Sequence, residues 1–428
     1  MVEALSSSVT KNYVPVAEDY FSRRIQPFLN WFAFFLACPA LTIFGNSVTF
    51  YLFLIIVYRL GFFWRKPSRG LRLLFTFFFI VIASALFAPY SEMPRHPGIM
   101  STLQILVQYT YWILVAALCI CKRMEIDFMQ LSKWVFYGTV AAIIGFYLFE
   151  FEVDLVVLSI DSKDSRNGFV FTLLCCIPIV FYYLYHKYSQ ALTYLWLLFF
   201  IISMLFTNGR SAAIIIMLES LLLLGLFKGF FRRLSVFFLA IALLPMILTG
   251  SDDYDQIMEG AAAYFEDINP RFSKLLRQEG EGDLDMDKSW LLRELMIDKG
   301  KEIYEKHPAL GVGPNGFKYY DSKFNTLSDY SRLGGHAEEY YNSRSSHNSY
   351  IQVLADFGVL GMTAFLLLLS VPILYFLWSY IRGKADITMA PIIGLLGSAF
   401  HYYAIAAITG AVGWFVLGLA WAVYVKNK

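Results

Sequence analysis

Apolar residues occur along this chain in repeated blocks of roughly 17–22 residues, the length that a helix needs to cross a bilayer. Most blocks are apolar on every face rather than along one stripe, which is typical of buried or membrane-spanning helices. The blocks lie at residues 27–44, 46–63, 72–90, 102–121, 134–151, 168–185, 191–207, 211–227, 233–249, 348–380, 388–407 and 411–425. The pattern predicts an all-α integral membrane protein with about 12 transmembrane helices. The tenth block is too long for one upright helix, so we expect it to tilt or to extend beyond the bilayer.

One long polar segment, residues 250–346, separates the ninth and tenth blocks. Connections of this length without secondary structure are uncommon. Apolar residues at helical spacing from Asp287 to His307 are followed by the prolines and glycines of Pro308–Phe317. We therefore expect a mainly helical loop that covers one face of the membrane domain. The predicted divisions are an N-terminal segment at 1–26, nine helices at 27–249, the loop at 250–346, and three helices with a short tail at 347–428.

The basic residues of the short connections predict the orientation of the chain. Lysine and arginine accumulate in cytoplasmic loops. With the N-terminus inside, the predicted cytoplasmic segments carry 18 of these residues, counting Arg72 and Arg233 at the starts of the third and ninth blocks, and the short external connections carry 4. Both termini are therefore expected in the cytoplasm, with residues 250–346 outside. The long loop holds 19 acidic and 12 basic residues, so it is a negatively charged surface.

Composition excludes several classes of protein. Charged residues make up 16% of the chain, against about 25% in a typical soluble domain. The five cysteines lie in or beside apolar blocks, which predicts small core residues and no disulfide framework. Neither zinc-ligand spacing nor a Walker phosphate loop occurs, and the acidic run at 279–287 lacks the spacing of a calcium loop. We expect no metal, no cofactor and no nucleic acid.

Three basic positions border the apolar blocks on the predicted outer side. Arg210 lies between two blocks, and it could simply anchor a helix end at the membrane interface. Arg293 lies on the predicted loop helix, where it could pair with Glu294 or Asp298. The third position opens the tenth block with Arg344, His347 and Asn348. Taken alone, a histidine at a helix start is more often structural than catalytic.

Together the three positions favour a binding site, because charges beside an apolar phase are costly and usually mark a substrate pathway. Arginine forks bind phosphate oxygens in a bidentate manner. A histidine can accept a proton from an attacking hydroxyl. A polar head outside and an apolar stem in the membrane describe a lipid-linked pyrophosphate. A transporter or flippase of lipid-linked glycans remains the alternative, and a membrane scaffold is a third possibility.

The same residues resemble the O-antigen ligase/polymerase family in three motifs. The first is a GRSA element at a helix start, within Asn208–Ala212. The second is an arginine helix that leads into P-x-x-G-V-G-x-x-x-F, from Arg293 to Pro308–Phe317. The third is HN-x-Y/F-L-x-x-L-x-x-x-G-x-x-G, which begins at His347 and ends at Gly361. The match covers roughly residues 190–380.

This resemblance implies a fold, an activity and roles for the candidate residues. It implies about a dozen transmembrane helices in the bacterial inner membrane, with one large periplasmic loop between the ninth and tenth. The implied reaction is a metal-independent, inverting transfer of a glycan from undecaprenyl pyrophosphate to another glycan or to the lipid A core. Arg210 and Arg293 would hold the pyrophosphate, and His347 would activate the acceptor hydroxyl. Some ligases carry a second histidine where this chain has Ser346, a difference that His336 might partly offset.

Overall fold

The computed structural model describes residues 21, 23–38, 41–43, 46–60, 68–93, 96, 98–148, 152–154, 158–161, 166–207, 210–226, 259, 262–263, 266, 284–322, 346–403, 405, 408 and 410–427. These residues are mainly helical. The α-helices are α1 (Gln26–Ala37), α2 (Val48–Leu60), α3 (Arg69–Leu86), α4 (Ile99–Cys121), α5 (Phe128–Leu148), α6 (Arg166–Lys187), α7 (Gln190–Leu205), α8 (Arg210–Gly225), α9 (Leu284–Lys306), α10 (Gly316–Tyr319), α11 (Ser349–Ile381), α12 (Ala390–His401) and α13 (Ala411–Lys426). Short 3-10 turns lie at Tyr90–Glu92 and Ile387–Met389.

Four helices in the described part of the chain are long and apolar enough to cross a membrane. They are Arg69–Leu86, Ile99–Cys121, Gly168–Lys187 and Ser349–Ile381. Five further apolar helices are shorter: Val48–Leu60, Gln190–Leu205, Ile214–Gly225, Ile387–His401 and Ala411–Lys426. The predicted membrane character is confirmed, whereas the count of 12 stays a prediction. The predicted span at 233–249 lies outside the described residues.

A small antiparallel sheet departs from the all-α prediction. Its strands are β1 (Leu41–Ile43), β2 (Asn46–Ser47), β3 (Glu152–Asp154) and β4 (Leu158–Asp161), in the order β2-β1-β4-β3. Strand β1 pairs with both β2 and β4, so the sheet joins the segment after α1 to the segment after α5. Helix α1 ends at Ala37, shortly before Pro39, whose ring and missing N–H oppose helix continuation. The prediction of helix through residue 44 is therefore wrong.

Most described helices share one apolar core. Helix α1 packs on α5, α4 on α13, and α12 on α6. The helix faces in these contacts are lined by large apolar side chains, among them Phe32, Phe77 and Phe181, all almost fully buried. Cys119, Cys175 and Cys176 are buried in this core, which confirms the prediction that they are small core residues.

A second, smaller core underlies the candidate site. It joins α9, the loop that follows it and the first turns of α11. Its buried residues are Met93, Met296, Ile303, Val312, Phe317, Tyr320 and Ala355. Gly300 in α9 is closely approached by Ile351 in α11, because a Cβ added at Gly300 would lie 2.4 Å from Ile351 Cγ2. The polar loop therefore packs directly on the start of the long apolar helix.

Helix α11 is broken near its beginning. Gly358 has φ 63° and ψ −165°, values outside the helical region, so a short segment before it is separated from the long apolar segment after it. Phe357 anchors the short segment, since its buried ring contacts Phe77 of α3 and Tyr109 of α4 at centroid distances of 5.7 and 5.5 Å. The predicted tenth span thus has nearly the expected bounds and contains a break that its apolar pattern did not indicate.

Candidate active site

The break in α11 is bridged by the loop that follows α9. We call residues 308–317 together with 355–360 the loop–helix junction. Before the break, the carbonyl oxygens of Ala355 and Asp356 accept hydrogen bonds from the amides of Val312 and Gly313, each at 2.9 Å. After the break, Val359 N donates to Pro308 O at 2.8 Å. Interrupted helices leave amides and carbonyls unpaired, and the loop supplies partners to both sides.

Two glycines make this close approach possible. A Cβ added at Gly311 would lie 2.3 Å from Ala355 O, and one added at Gly358 would lie 2.3 Å from both the carbonyl carbon and oxygen of Ala309. Both glycines also have positive φ, 66° and 63°, a region that L side chains rarely occupy. The second and third sequence motifs therefore share one structural purpose, which is to let two backbone segments touch.

His347 lies in a strained turn immediately before α11. Its φ is 49°, and Asn315 is the one other non-glycine residue with positive φ among the described residues. The left-handed region costs an L residue about 1–2 kcal/mol. Ser346 compensates by donating from its hydroxyl to Asn348 O at 2.6 Å while accepting from Asn348 N at 3.3 Å. The backbone on both sides of His347 is therefore fixed by Ser346, the residue that differs from the two-histidine pattern.

Asn348 caps the helix that follows. Its side-chain oxygen accepts hydrogen bonds from Tyr350 N at 2.9 Å and Ile351 N at 3.2 Å, the usual arrangement at a helix N-terminus. Ser349 N donates to Tyr402 O at 2.8 Å, which ties this terminus to the end of α12. Asn348, which belongs to the third predicted position, therefore acts as the N-cap of α11.

Asp356 connects the turn at His347 to the junction. Its fully buried carboxylate accepts from Asn315 N at 3.0 Å, from Phe317 N at 2.9 Å and from Gln352 Nε2 at 2.7 Å. Gln352 Oε1 in turn accepts from Ser346 N at 3.3 Å. Asp356 therefore binds the loop directly and the His347 turn through Gln352. Buried carboxylates need such compensation, because an unpaired buried charge is very costly.

The three predicted basic positions lie on different elements: α9 contacts α11 directly, whereas α8 contacts α12. Arg293 lies on α9 two helical turns before Gly300, the contact point with Ile351. Arg210 begins α8, which packs on α12 where Glu219 touches Gly397. Nine residues at 1.5 Å each place the Arg210 backbone about 13 Å along α8 from that contact. Arg344 and His336 lie outside the described residues.

A cluster of titratable side chains fastens the ends of the loop. Glu92 Oε2 lies 3.1 Å from His307 Nε2 and accepts from Tyr320 OH at 2.9 Å, while Glu92 O accepts from Asp321 N at 3.0 Å. Burial opposes the charged form of Glu92, but the hydrogen bonds from His307 and Tyr320 outweigh it and lower the pKa of this carboxyl. His307 and Tyr320 flank the junction, so Glu92 holds both of its ends.

Sequence reasoning missed Asp356, Gln352 and Glu92. Glu219, an ionisable residue within the eighth apolar block, is fully buried against Gly397. Asp356 equally interrupts an apolar block and carried the same signal, because charges within such segments usually have a purpose. Glu92 carried no comparable signal, since His307 and Tyr320 are distant in sequence. Gln352 carried only its spacing of four residues from Asp356, which many pairs of helical residues share.

Comparison with known proteins bears on the same region. No curated protein matches the chain in sequence. Residues 194–366 match the model of the family described as O-antigen ligase. The matched residues include the start of α8, all of α9, the loop–helix junction and the turn at His347. The identification therefore concerns residues 194–366, which carry the sequence pattern of an O-antigen ligase domain.

Proposed function

We propose that the protein transfers a glycan from undecaprenyl pyrophosphate to an acceptor sugar hydroxyl at the periplasmic face of the bacterial inner membrane. His347 accepts the proton of the acceptor hydroxyl. The new bond forms between that oxygen and the donor's anomeric carbon as the bond to pyrophosphate breaks. Arg210 and Arg293 hold the pyrophosphate, which leaves still attached to its lipid. One direct displacement inverts the anomeric centre, and the step needs no metal or cofactor.

The observation that carries this proposal is the turn at His347. A strained backbone conformation is usually retained at functional sites, where surrounding contacts enforce it. Here Ser346, Asn348 and Gln352 all bond within this turn. The histidine directly precedes a long apolar helix, which supports a position where an aqueous acceptor meets a lipid-anchored phosphate. A proton acceptor at that boundary suits transfer from a lipid donor better than transport or scaffolding.

The test is glycan transfer by purified protein in lipid vesicles that contain a lipid-linked glycan and an acceptor glycan. We expect His347→Ala to lower the rate of transfer by 100-fold or more, within the range of about 10²–10⁴ for loss of a general base. His186→Ala is the matched control, because His186 is exposed at the end of α6. Wild-type product from folded His347→Ala would refute the base role.

A deletion strain would identify the type of transfer. Accumulated single repeat units on the lipid would indicate a polymerase, and accumulated full-length lipid-linked chains would indicate a ligase that uses the lipid A core. Substrate retained on the cytoplasmic side would instead favour the alternative, a flippase for lipid-linked glycans. Both transferases need the same pyrophosphate clamp and the same base, so the product pattern separates them where the motifs cannot.

A further inference from the structure

We propose that Gln352 and Asp356 are positioning residues that hold His347 in register with the loop–helix junction. The inference rests on the proposed function, since it assigns a purpose to the contacts around the base. Two segments that are distant in sequence must be placed relative to each other: the loop after α9 and the turn before α11. Asp356 contacts the first directly, and Gln352 connects Asp356 to the second.

The hydrogen bonds run in one unbroken series from the loop to the histidine. Asn315 N and Phe317 N donate to the two oxygens of Asp356. Gln352 Nε2 donates to Asp356 Oδ2, and Gln352 Oε1 accepts from Ser346 N. Ser346 Oγ then bonds to Asn348 across His347. Asn315 and His347, the two described non-glycine residues with positive φ, thus lie at opposite ends of this series.

The position of Gln352 demands an amide. Its oxygen faces an N–H donor and its nitrogen faces a carboxylate, so one side chain must both accept and donate. Gln352 is 5% exposed and Asp356 is 1% exposed, so water is a poor substitute for either partner. An apolar residue of similar length at position 352 would leave both Ser346 N and one acceptor site of the Asp356 carboxylate unsatisfied. The packing of α11 on α9 would remain.

Two substitutions separate positioning from folding. Gln352→Met keeps the length of the side chain and removes both hydrogen bonds. Gln352→Glu keeps the shape, but its carboxyl can bridge Ser346 N and Asp356 only while one proton lies between the two carboxyl groups. Lys299 of α9 and Tyr109 of α4 are the other titratable groups that act on Asp356. Lys299 and Tyr109 are unchanged in both variants. A pH dependence that appears only in Gln352→Glu therefore arises from the two carboxyl groups at positions 352 and 356.

The experiment compares kcat, KM and the amount of folded protein for each variant in the vesicle transfer assay. We expect Gln352→Met to lower kcat by about 100-fold with little change in KM for the lipid donor, because displacement of a catalytic group by about 1 Å can cost that much. We expect Gln352→Glu to recover activity, relative to wild type at each pH, as the pH is lowered. Gln352→Met should show no such recovery.

Gln26 provides a matched control. It is also 5% exposed, donates to a residue four positions later, Asn30 Oδ1 at 2.8 Å, and accepts from a backbone amide, Asp127 N at 3.1 Å. Gln26→Glu should keep the wild-type pH profile of transfer. If Gln352→Met retains wild-type kcat while His347→Ala is inactive, the positioning role is wrong and the base role stands. If folded His347→Ala is active, the proposed function is wrong, whatever Gln352 does.

Discussion

At the scale of single residues, His347 combines two properties that the sequence expressed only in part. Its place between a polar segment and an apolar block indicated a boundary position. Its positive φ was not predictable, because histidine adopts that conformation only where surrounding contacts enforce it. The contacts come from Ser346 and, through Gln352, from Asp356. Ser346 had seemed only a departure from the family pattern, and the structure gives it a direct part in shaping the turn.

Glu92 provides a prediction about acidic pH. Its folded-state pKa lies below its ordinary value of 4.5, so it contributes stability that is present above pH 4.5 and is lost as the pH falls through the lowered pKa. The side chain is 41% exposed, so we expect a contribution well below about 1 kcal/mol. We therefore expect the thermal unfolding midpoints of wild type and Glu92→Gln to differ most at neutral pH and to converge below pH 4.5.

Tyr320→Phe serves as the intermediate case for this measurement. It removes one of the two side-chain hydrogen bonds that lower the pKa of Glu92 and leaves the contact with His307. Its midpoint should fall between those of wild type and Glu92→Gln at neutral pH. A constant difference between wild type and Glu92→Gln from pH 7 to pH 3 would contradict the ionic role of this carboxylate.

At the scale of elements, the loop–helix junction explains why two glycine-rich motifs occur in one chain. A broken helix needs partners for its free amides and carbonyls, and irregular backbone at membrane depth is tolerated only where protein covers it. The loop after α9 meets this need through Val312, Gly313 and Pro308. Sequence analysis recognised the motifs by resemblance. It could not place them in contact, since the 40 or so intervening residues give no register between them.

Alanine substitutions at the glycines test the junction. Gly358→Ala introduces both a backbone collision at 2.3 Å and a positive φ of 63°, so we expect a loss of more than about 3 kcal/mol in unfolding free energy. Gly98 is the control, because its φ is 91° and nothing lies within 4 Å of an added Cβ. Gly98→Ala should cost only the conformational part, about 1–2 kcal/mol. Thermal unfolding in detergent measures both, and equal losses would mean that the close approach is unimportant.

At the scale of the whole molecule, the sequence predicted the membrane character of the chain and the bounds of most helices, but not the contacts between distant segments. Apolar block length located most helices to within a few residues, as for Ala411–Lys426 against the predicted 411–425. It failed where short polar and β-branched runs pair across the chain, because strands β1 and β4 are more than 100 residues apart and apolar patterns carry no information about pairing. It likewise gave His347 without the buried amide of Gln352 and the buried carboxylate of Asp356, which connect its turn to the loop after α9.

Orientation is the prediction at this scale. The excess of lysine and arginine in one set of connections predicts that residues 250–346 lie on the periplasmic side. A cysteine introduced at Glu281 should therefore react with a membrane-impermeant thiol reagent applied to whole cells with a permeable outer membrane. A cysteine at Lys384, in the connection between α11 and α12, should react only after the inner membrane is opened. The reverse pattern would invert the predicted topology and move His347 to the cytoplasmic face.

The loop–helix junction also limits how related enzymes can exchange parts. The two backbone segments of the junction, residues 308–317 and 355–360, fit each other through their glycines. A recombinant chain that took one segment from each of two parents would combine surfaces that have not evolved together. Residues 323–345 lie between two anchored serines, Ser322 bonded to Glu302 and Ser346 bonded to Gln352. That interval is where a chimera could replace sequence while inheriting the junction from one parent.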